Sequence, residues 1–261
     1  MLKINTQEIT DKIVNFLKSE VKEAGFQKVI VALSGGIDSA TVAFLCVKAL
    51  GKENVLLAQF PYQKQDSDAS LVIEKLQIPG ENLFEIEISE IVSSFALVFA
   101  RSHLARQGET LRNLRVGNLM ARIRMILLYD LAKASNALVC GTENKSEYLL
   151  GYFTRFGDEA SDLEPIRNLY KTEVMELAKE LGVPEKIIKK APTAGLWTGQ
   201  TDEKELGFSY QACDPVLSLY FDKKLDWKEI IKQGYDEKLV EKIKEQVEKN
   251  AFKNEAPKAC L

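Results

Sequence analysis

The residues best suited to chemistry form one short segment, Ser34-Gly35-Gly36-Ile37-Asp38-Ser39. It follows the apolar run Val29 to Leu33 and precedes a helix-length run, Ala40 to Leu50. A strand that turns through two glycines into a helix directs backbone N–H groups, the positive end of the helix dipole and two hydroxyls at one point. This pattern is typical of an anion site, and phosphate is the obvious ligand.

Asp38 is unusual in such a loop, because a carboxylate repels phosphate unless a cation lies between them. It therefore predicts magnesium, which proteins usually hold through one or two carboxylates together with substrate phosphates. The segment lacks the lysine of a Walker loop and the spacing of a Rossmann dinucleotide loop, so neither fits. A simpler alternative stays open from spacing alone: a Gly-Gly turn in which Asp38 and Ser39 only cap the helix.

The elements that must position this loop alternate between β-rich and helix-length segments. The β-rich runs are Lys28 to Leu33, Asn54 to Phe60 and Leu83 to Ile88, and the helical runs between them are Asp38 to Leu50 and Asp66 to Leu76. This order requires parallel strands joined by right-handed crossovers. We expect an α/β fold, a doubly wound and mostly parallel sheet with helices on both faces.

A fourth strand is expected at Ala137 to Cys140, ending at Gly141-Thr142. Before it come helices at Ser89 to Arg101 and Asn113 to Ala134, separated by a polar segment, Ser102 to Arg112, that predicts a mobile loop and a candidate lid.

The remaining segments are expected to be helical at both ends and loop-rich between. One amphipathic helix begins behind Asn5-Thr6 and ends at Gly25, and another covers Asp236 to Asn250. Residues 151–210 are rich in Gly and Pro between short helices such as Thr172 to Leu181. We expect them to form a covering subregion of one domain that spans residues 1–261.

Composition excludes several classes of protein. The chain has 261 residues, 46% of them hydrophobic and 28% charged, and a net charge of −3. This predicts a soluble globular protein without the basic surface needed for nonspecific binding to nucleic acid or an anionic membrane. Its longest uncharged stretch, Ala191 to Thr201, is far shorter than the roughly 20 apolar residues of a membrane span. The N-terminus lacks a signal peptide pattern, so a cytoplasmic location is expected.

Cysteine and histidine usage argues against a zinc site. The chain has one histidine, His103, and no C-x-x-C pair among Cys46, Cys140, Cys213 and Cys260. The thiols are expected to be structural or incidental, and any metal is expected to be held by oxygen.

The Ser34 to Ser39 loop resembles the S-G-G-x-D-S loop of the ATP pyrophosphatases, which cleave ATP to AMP and pyrophosphate while adenylating a substrate. Other motifs are similar to those of the NAD synthetases in that superfamily, in the same order along nearly the whole chain. They are Ala121 to Met125, Gly141-Thr142-Glu143-Asn144-Lys145-Ser146-Glu147, Phe156-Gly157-Asp158 with Asp162, Lys171-Thr172-Glu173-Val174, Ala191-Pro192-Thr193-Ala194-Gly195-Leu196 and Asp202 to Gly207. The resemblance implies the adenine nucleotide alpha hydrolase-like fold.

The resemblance also implies roles for individual residues. ATP contacts are implied for Ala32, Leu33, Ser34, Gly35, Gly36, Ile37, Asp38, Ser39, Thr142, Lys171 and Thr193. Contacts to deamido-NAD are implied for Arg122, Arg155, Asp162, Phe252 and Lys253. Asp38 and Glu147 would be magnesium ligands, with Asp38 and Lys171 as the catalytic candidates.

Simpler roles stay open for four of these residues: Thr142 as a helix cap, Lys171 as a solvated charge, Arg122 paired with an acid, and Glu147 as a surface residue. Three positions depart from what many members of the family carry. Arg155 stands where a lysine is common, Phe252 where a histidine often stands, and Gln59 where an arginine often stands. Arg155 keeps the charge in a planar form, whereas Phe252 cannot donate to a phosphate.

The resemblance implies an ammonia-dependent NAD synthetase. The nicotinate carboxylate of deamido-NAD would attack the α-phosphate of ATP, and ammonia would then displace AMP. Glutamine-using members carry an additional amidase domain, and the synthetase resemblance already uses this chain fully, so free ammonia is expected. The family forms homodimers, with the Asn113 to Ala134 helix as the expected interface.

Two other functions stay open. One is a tRNA-modifying ATP pyrophosphatase, although the basic surface or sulfur-transfer cysteines that it would need are not visible. The other is a noncatalytic adenine-nucleotide sensor. Asp158 and Glu143 are acids that could serve the amidation step, and the sequence does not choose between them.

Overall fold

Four parallel strands form one sheet in the computed structural model of the chain, which describes residues 4–63, 68–100, 109–193 and 200–259. The strands are β1 (Lys28–Ala32), β2 (Val55–Gln59), β3 (Leu83–Glu85) and β4 (Ala137–Cys140), in the spatial order β3-β2-β1-β4. Ile30 of β1 pairs with Leu56 of β2 and Val139 of β4, which sets the register. The predicted parallel α/β sheet is confirmed.

The helices of the described residues connect and cover these strands. They are α1 (Thr6–Glu23), α2 (Ile37–Leu50), α3 (Ala69–Leu76), α4 (Ser89–Ala100), α5 (Glu109–Ala134), α6 (Lys145–Leu150), α7 (Lys171–Leu181), α8 (Glu185–Ile188), α9 (Asp202–Leu206), α10 (Tyr210–Phe221), α11 (Trp227–Lys232) and α12 (Glu237–Asn250). Short 3₁₀ turns lie at Lys52–Asn54, Gly80–Asn82 and Ala251–Asn254. None of the helices in these ranges has the length and apolar character needed to cross a bilayer.

Alternating side chains of β1 contribute to two cores, one on each face of the sheet. Val29 and Val31 are buried with residues of α1, α2 and α7, whereas Ile30 is buried with residues of α4 and α5. Successive side chains of a strand point to opposite faces, so a strand that is apolar at every position needs cover on both sides. The predicted helices on both faces are therefore present.

A third core lies beyond the sheet and supports the region that carries the candidate site. Helices α6, α10, α11 and α12 pack around Tyr210, Val216, Leu217 and Ile243, all of which are almost fully buried. Of the two end helices, α1 is capped by Asn5, one of the two residues predicted to precede it, and α12 is capped by Asp236.

Several predicted boundaries differ from the structure. Helix α5 begins at Glu109, so the prediction that residues 109–112 belong to the polar loop is wrong. These residues form the first turn of α5. Strand β3 ends at Glu85, and residues 86–88 lead directly into α4. The rest of the candidate lid, including His103, lies outside the described residues, as do residues 66–67 at the start of the third predicted helix.

The cysteines within the described ranges behave as small apolar residues. Cys46, Cys140 and Cys213 are free and fully buried. Burial raises the pKa of the Cys213 thiol, which keeps it protonated and unreactive. Cys260 lies outside the described residues.

Candidate active site

The loop between β1 and α2 presents a helix N-terminus without a side-chain cap. Gly36 is the N-cap residue of α2 and makes no side-chain hydrogen bond to the first turn. Gly35 has a φ of 77°, in the left-handed region that favours glycine. Ser34 Oγ accepts a hydrogen bond from Gly36 N at 3.2 Å and lies 3.1 Å from Ser39 Oγ, so the two hydroxyls converge. This geometry supports the expected anion site.

The neighbouring loop residues fix this N-terminus to the sheet. Leu33 N donates to Ala58 O of β2 at 2.8 Å, which continues the sheet pairing one residue beyond Ala32. Ile37 is buried in the core that α1, α2 and α7 form on one face of the sheet. These residues can contribute backbone groups to a ligand, while their side chains anchor the loop.

Asp38 is directed across the loop and away from the end of its own helix. Its Oδ1 accepts a hydrogen bond from Asn144 Nδ2 at 3.0 Å, and its Oδ2 lies 2.6 Å from Lys171 Nζ. The alternative in which Asp38 only caps α2 is therefore wrong, because Gly36 is the N-cap. Asn144 and Lys171 lie at the starts of α6 and α7.

Lys171 joins two carboxylates in a site with little access to water. Its Nζ lies 2.6 Å from Asp38 Oδ2 and 3.0 Å from Glu147 Oε1, with 3% of the lysine side chain exposed and 17% of each carboxylate side chain. The alternatives of a solvated Lys171 and a plain surface Glu147 are both wrong. We refer to Asp38, Glu147 and Lys171 below as the charged cluster.

Burial and mutual charge set the protonation of the charged cluster. Burial, opposed by Lys171 and reinforced by the Asp38 carboxylate, raises the pKa of Glu147 to about 8. For Lys171, burial favours the neutral amine, but the carboxylates of Asp38 and Glu147 outweigh it and raise the pKa of the lysine above its ordinary value. The lysine is a cation at neutral pH, and its single positive charge is shared by two acids.

The start of α6 places Glu147 through a capping box. Asn144 Oδ1 accepts from Glu147 N at 3.0 Å, and the Glu147 carboxylate returns to the Asn144 backbone N–H. Asn144 is thus both the N-cap and the donor to Asp38, a role that the sequence analysis missed. The pattern Asn-x-x-Glu was the signal for it. Since Asn144 is the cap, the alternative in which Thr142 caps this helix is wrong.

A third acid, Asp202 at the start of α9, borders the charged cluster and was also missed as an individual residue. It is 3% exposed, and its carboxylate accepts hydrogen bonds from Tyr152 Oη and Tyr210 Oη, each at 3.3 Å. The ring centroid of Tyr210 lies 5.3 Å from Lys171 Nζ. An aromatic face at this distance favours a cation, so Tyr210 adds to the stabilisation of the ammonium.

Two of the residues implied for deamido-NAD are linked through the backbone. Arg122 Nη2, on the exposed face of α5, donates to Arg155 O at 3.1 Å. Arg155 Nη2 in turn donates to Glu255 O at 2.6 Å. The alternative of Arg122 paired with an acid does not hold in the described residues, because its partner is a carbonyl.

Two more residues of this group come from the C-terminal segment. Lys253 Nζ donates to Gly151 O at 2.7 Å and to Phe153 O at 2.8 Å, and this fixes the C-terminal segment to the turn after α6. Phe252 beside it is 56% exposed. Arg122, Arg155, Phe252 and Lys253 thus lie around one turn, residues 151–156.

The other implied residues lie further apart. Asp162 Oδ2 accepts from Val139 N of β4 at 2.7 Å and borders a cavity of about 460 Å³. Thr142 follows the end of β4 and is half-buried. Thr193 Oγ1 donates to Gln200 O at 2.9 Å, while Ala194 to Leu196 of the same motif lie outside the described residues.

Glu143, next to Thr142, is a deeply buried acid. It is 5% exposed, and its Oε2 lies 2.8 Å from Arg167 Nη2. Burial, partly offset by Arg167 and reinforced by Glu164, raises the pKa of Glu143 to about 9. At neutral pH it is therefore mainly a neutral carboxylic acid.

The charged cluster fits a magnesium ion that is completed by a ligand. Asp38 and Glu147 already converge on one cation, and both keep some solvent access. Within the residues that the structure describes, no group of three or more His, Cys, Asp or Glu side chains could hold a metal alone. Magnesium commonly binds through one or two carboxylates plus substrate phosphates, which matches two acids beside an anion site.

Comparison with known proteins shows that the NAD synthase family model matches residues 9–257. The chain belongs to the NAD synthase family. An NH(3)-dependent NAD(+) synthetase of Pyrococcus horikoshii is 47% identical over 250 residues, which cover 95% of this chain and 93% of that protein. The resemblance found in the motifs is thus confirmed along nearly the whole chain.

Solved structures place this NAD synthase family member in the same fold. The structure titled NH3-dependent NAD synthetase from Campylobacter jejuni, in complex with the nitrate ion, aligns with a TM-score of 0.80 and 36% identity over 99% of this chain and all of that one. The structure titled NMN synthetase from Francisella tularensis aligns with a TM-score of 0.83 and 33% identity over 99% of each chain. The adenine nucleotide alpha hydrolase-like fold is therefore confirmed.

Proposed function

We propose that the chain is an ammonia-dependent NAD synthetase, an ATP-driven carbon–nitrogen ligase that adenylates the nicotinate carboxylate of deamido-NAD and amidates it with ammonia. The observation that carries this proposal is the charged cluster beside the uncapped N-terminus of α2. Curated relatives that share 40–47% identity over nearly the whole chain are named NH(3)-dependent NAD(+) synthetases.

The loop residues Ser34 to Ser39 bind the ATP phosphates through backbone N–H groups and the two serine hydroxyls. Charge on the phosphate oxygens grows as pyrophosphate leaves, and fixed donors in a site with little water stabilise it without reorganisation. Lys171 is a point charge within reach of the same site, so it stabilises the leaving pyrophosphate. Thr142 and Thr193 supply further contacts to the nucleotide.

Asp38 and Glu147 hold magnesium when the nucleotide is bound. The ion supplies Lewis-acid stabilisation of the phosphoryl oxygens in such sites. Asn144 holds Asp38 in position through one carboxylate oxygen, and the other oxygen already faces a cation, the Lys171 ammonium. This assignment is supported by two acids that converge on one cation beside the site proposed for the ATP phosphates.

Deamido-NAD binds along the group formed by Arg122, Arg155, Phe252 and Lys253, with Asp162 at the neighbouring cavity. Arginine and lysine donate to phosphate and carboxylate groups, and Phe252 offers a face for stacking. The chain acts as a homodimer through α5, where Leu111, Leu114 and Ile126 are exposed apolar side chains. We also propose that the protein is cytoplasmic, where ATP is supplied, and that it has no nucleic-acid or membrane partner.

One incubation tests the function. ATP, deamido-NAD, magnesium and ammonium are mixed with the purified chain, and AMP, pyrophosphate and NAD are quantified. Equal amounts of the three support the proposal, whereas nucleotide binding without turnover supports a noncatalytic sensor. A tRNA-modifying pyrophosphatase would release pyrophosphate only when RNA replaces deamido-NAD.

Two further arms refine the substrate and the nitrogen source. Nicotinate mononucleotide replaces deamido-NAD, because the similar Francisella tularensis structure is titled NMN synthetase. Turnover of the mononucleotide in preference to the dinucleotide would contradict the proposal. Glutamine replaces ammonium in the second arm, and glutamine supporting equal turnover would overturn the ammonia dependence.

A further inference from the structure

Asp214 is a buried acid in α10 that holds two other helices by their first turns. It is 0% exposed. Its Oδ1 accepts from Ser146 Oγ at 2.6 Å, and its Oδ2 accepts from Thr172 N at 2.9 Å and Thr172 Oγ1 at 2.8 Å. Ser146 and Thr172 are themselves buried. Charge-assisted hydrogen bonds of this kind are stronger and more directional than neutral ones.

The partners of Asp214 are chain neighbours of the charged cluster. Ser146 immediately precedes Glu147 in α6, and Thr172 immediately follows Lys171 in α7. Ser146 Oγ also accepts a hydrogen bond from Lys171 N at 2.9 Å. One carboxylate therefore connects the backbone that carries the lysine with the helix that carries its acid partner.

Asp214 also compensates for the missing cap of α7. The first N–H groups of a helix have no partner within it, and Tyr170 at the N-cap position supplies no side-chain hydrogen bond to them. Asp214 accepts from Thr172 N, and Ser146 accepts from Lys171 N. A negative charge at this end also interacts favourably with the helix dipole.

The same face of α10 supports the other end of Lys171. Tyr210 and Asp214 are four residues apart, so they lie on one face of the helix. Tyr210 places its ring 5.3 Å from Lys171 Nζ, while Asp214 fixes the backbone at Thr172. Helix α10 thus holds both the ammonium and the main chain of the lysine.

We propose that Asp214 is a positioning residue for the synthetase reaction, setting the separation of Lys171 and Glu147 through Thr172 and Ser146. It contacts none of the groups assigned to substrate. This inference rests on the proposed function. A misplacement of about 1 Å in such a site can cost about 100-fold in rate, so loss of the carboxylate is expected to lower kcat strongly.

The test compares Asp214→Asn with Ser209→Ala, a control on the same helix. The asparagine keeps the volume but replaces one acceptor oxygen by an NH₂ group, which faces donors. Ser209 caps α10 by accepting from Ala212 N at 3.3 Å, so its loss weakens the helix without touching Ser146 or Thr172. Both variants should lower Tm.

We expect Asp214→Asn to lower kcat about tenfold or more, while the KM for deamido-NAD changes little and Ser209→Ala keeps its kcat. Equal kcat in the two variants at temperatures where both are folded would overturn the proposal. If Asp214→Asn does not fold, Ser146→Ala and Thr172→Val each remove one partner, and unchanged kcat in both would overturn it as well.

Hydrogen exchange separates this inference from the proposed function. In Asp214→Asn, exchange should rise in residues 145–150 and 171–175, and it should stay unchanged there in Ser209→Ala. A wild-type chain without turnover would refute the proposed function but leave this readout valid. Unchanged exchange in both segments would refute the positioning role even in an active enzyme.

Discussion

Lys171 Nζ lies 2.6 Å from Asp38 Oδ2, although 133 residues separate the two in the chain. The lysine begins α7, and the aspartate lies in the first turn of α2. Their contact brings a cation to the loop of Ser34 to Ser39, which on its own carries only an acid and two hydroxyls. Glu147 shares the same ammonium, so a magnesium ion bound as proposed would compete with the lysine for the same two carboxylates.

Replacing Asp38 by Asn should abolish the magnesium-dependent reaction. The amide cannot bind the ion as an anion, and the expected loss in kcat is about 100-fold or more, the scale of a missing electrostatic group in an active site. The fold should persist, because Lys171 keeps Glu147 as its partner. Pyrophosphate release and circular dichroism measure the two effects.

Glu8→Gln is the matched control for Asp38→Asn. Glu8 is also an acid in a first helical turn, that of α1, so both variants lose about the same interaction with a helix dipole. The control should keep full turnover. Undiminished turnover in Asp38→Asn would count against the assigned site.

Replacing Lys171 by Met should strengthen magnesium binding in the absence of nucleotide while it lowers turnover. Breaking a buried ion pair costs about 3–5 kcal/mol because it leaves an uncompensated charge. Here two acids lose the ammonium that they share, so a magnesium ion no longer competes with it and gains affinity. Calorimetry with magnesium alone, and Tm with and without magnesium, measure the change.

Lys145→Met is the comparison for Lys171→Met. Lys145 pairs with Asp222 at 2.6 Å and lies outside the charged cluster. The Lys145→Met variant should leave the affinity for magnesium unchanged. Equal magnesium affinity in wild type and Lys171→Met would show that the ion does not bind where the ammonium lies.

Replacing Glu143 by Gln should stabilise the protein increasingly as the pH rises. Burial raises the pKa of Glu143 to about 9 from the ordinary 4.5. Between these values the folded state holds more protons than the unfolded chain, so stability falls with rising pH; below the lower value both states are protonated and the effect vanishes. Glutamine removes this dependence, and Arg167 keeps Glu164 as a partner.

The measurement for Glu143→Gln is Tm at about pH 5 and about pH 8. The increase in Tm over wild type should be small at about pH 5 and larger at about pH 8. Glu241→Gln, at an exposed position of α12, provides the control and should show no such trend. A gain independent of pH would rule out this titration.

Replacing Ile126 by Glu should convert the proposed dimer to monomers. Ile126 is 59% exposed on α5, in the surface proposed to pair with a second copy, and a buried unpaired charge would oppose association. Sedimentation velocity measures the mass. Phe16→Glu, on α1 at 38% exposure, should leave the mass unchanged. A monomeric wild-type chain would contradict the proposed dimer.

The amino-acid sequence by itself determined the glycine-rich loop of Ser34 to Ser39 between a strand and a helix, the order of the four strands and the helices between them along the chain, and the parallel sheet. These follow from local patterns: the glycines before α2, apolar runs of strand length and helix-length segments between them. The motifs also identified the family, which full-length comparison confirmed. Boundaries such as the start of α5 at Glu109 were misplaced, because a polar helical turn and a polar loop have similar compositions. Helices α6, α10 and α11 were not predicted.

Tertiary structure alone decided how the charges are paired. Nothing local to Asn144 indicates that its amide reaches Asp38, 106 residues away, or that Asp214 holds the residues beside Glu147 and Lys171. Those contacts depend on how α6, α7 and α10 pack against the sheet and the third core. The spacing of apolar residues predicts which face of a helix is buried, but the partner of a buried polar group is set by the packing of distant segments.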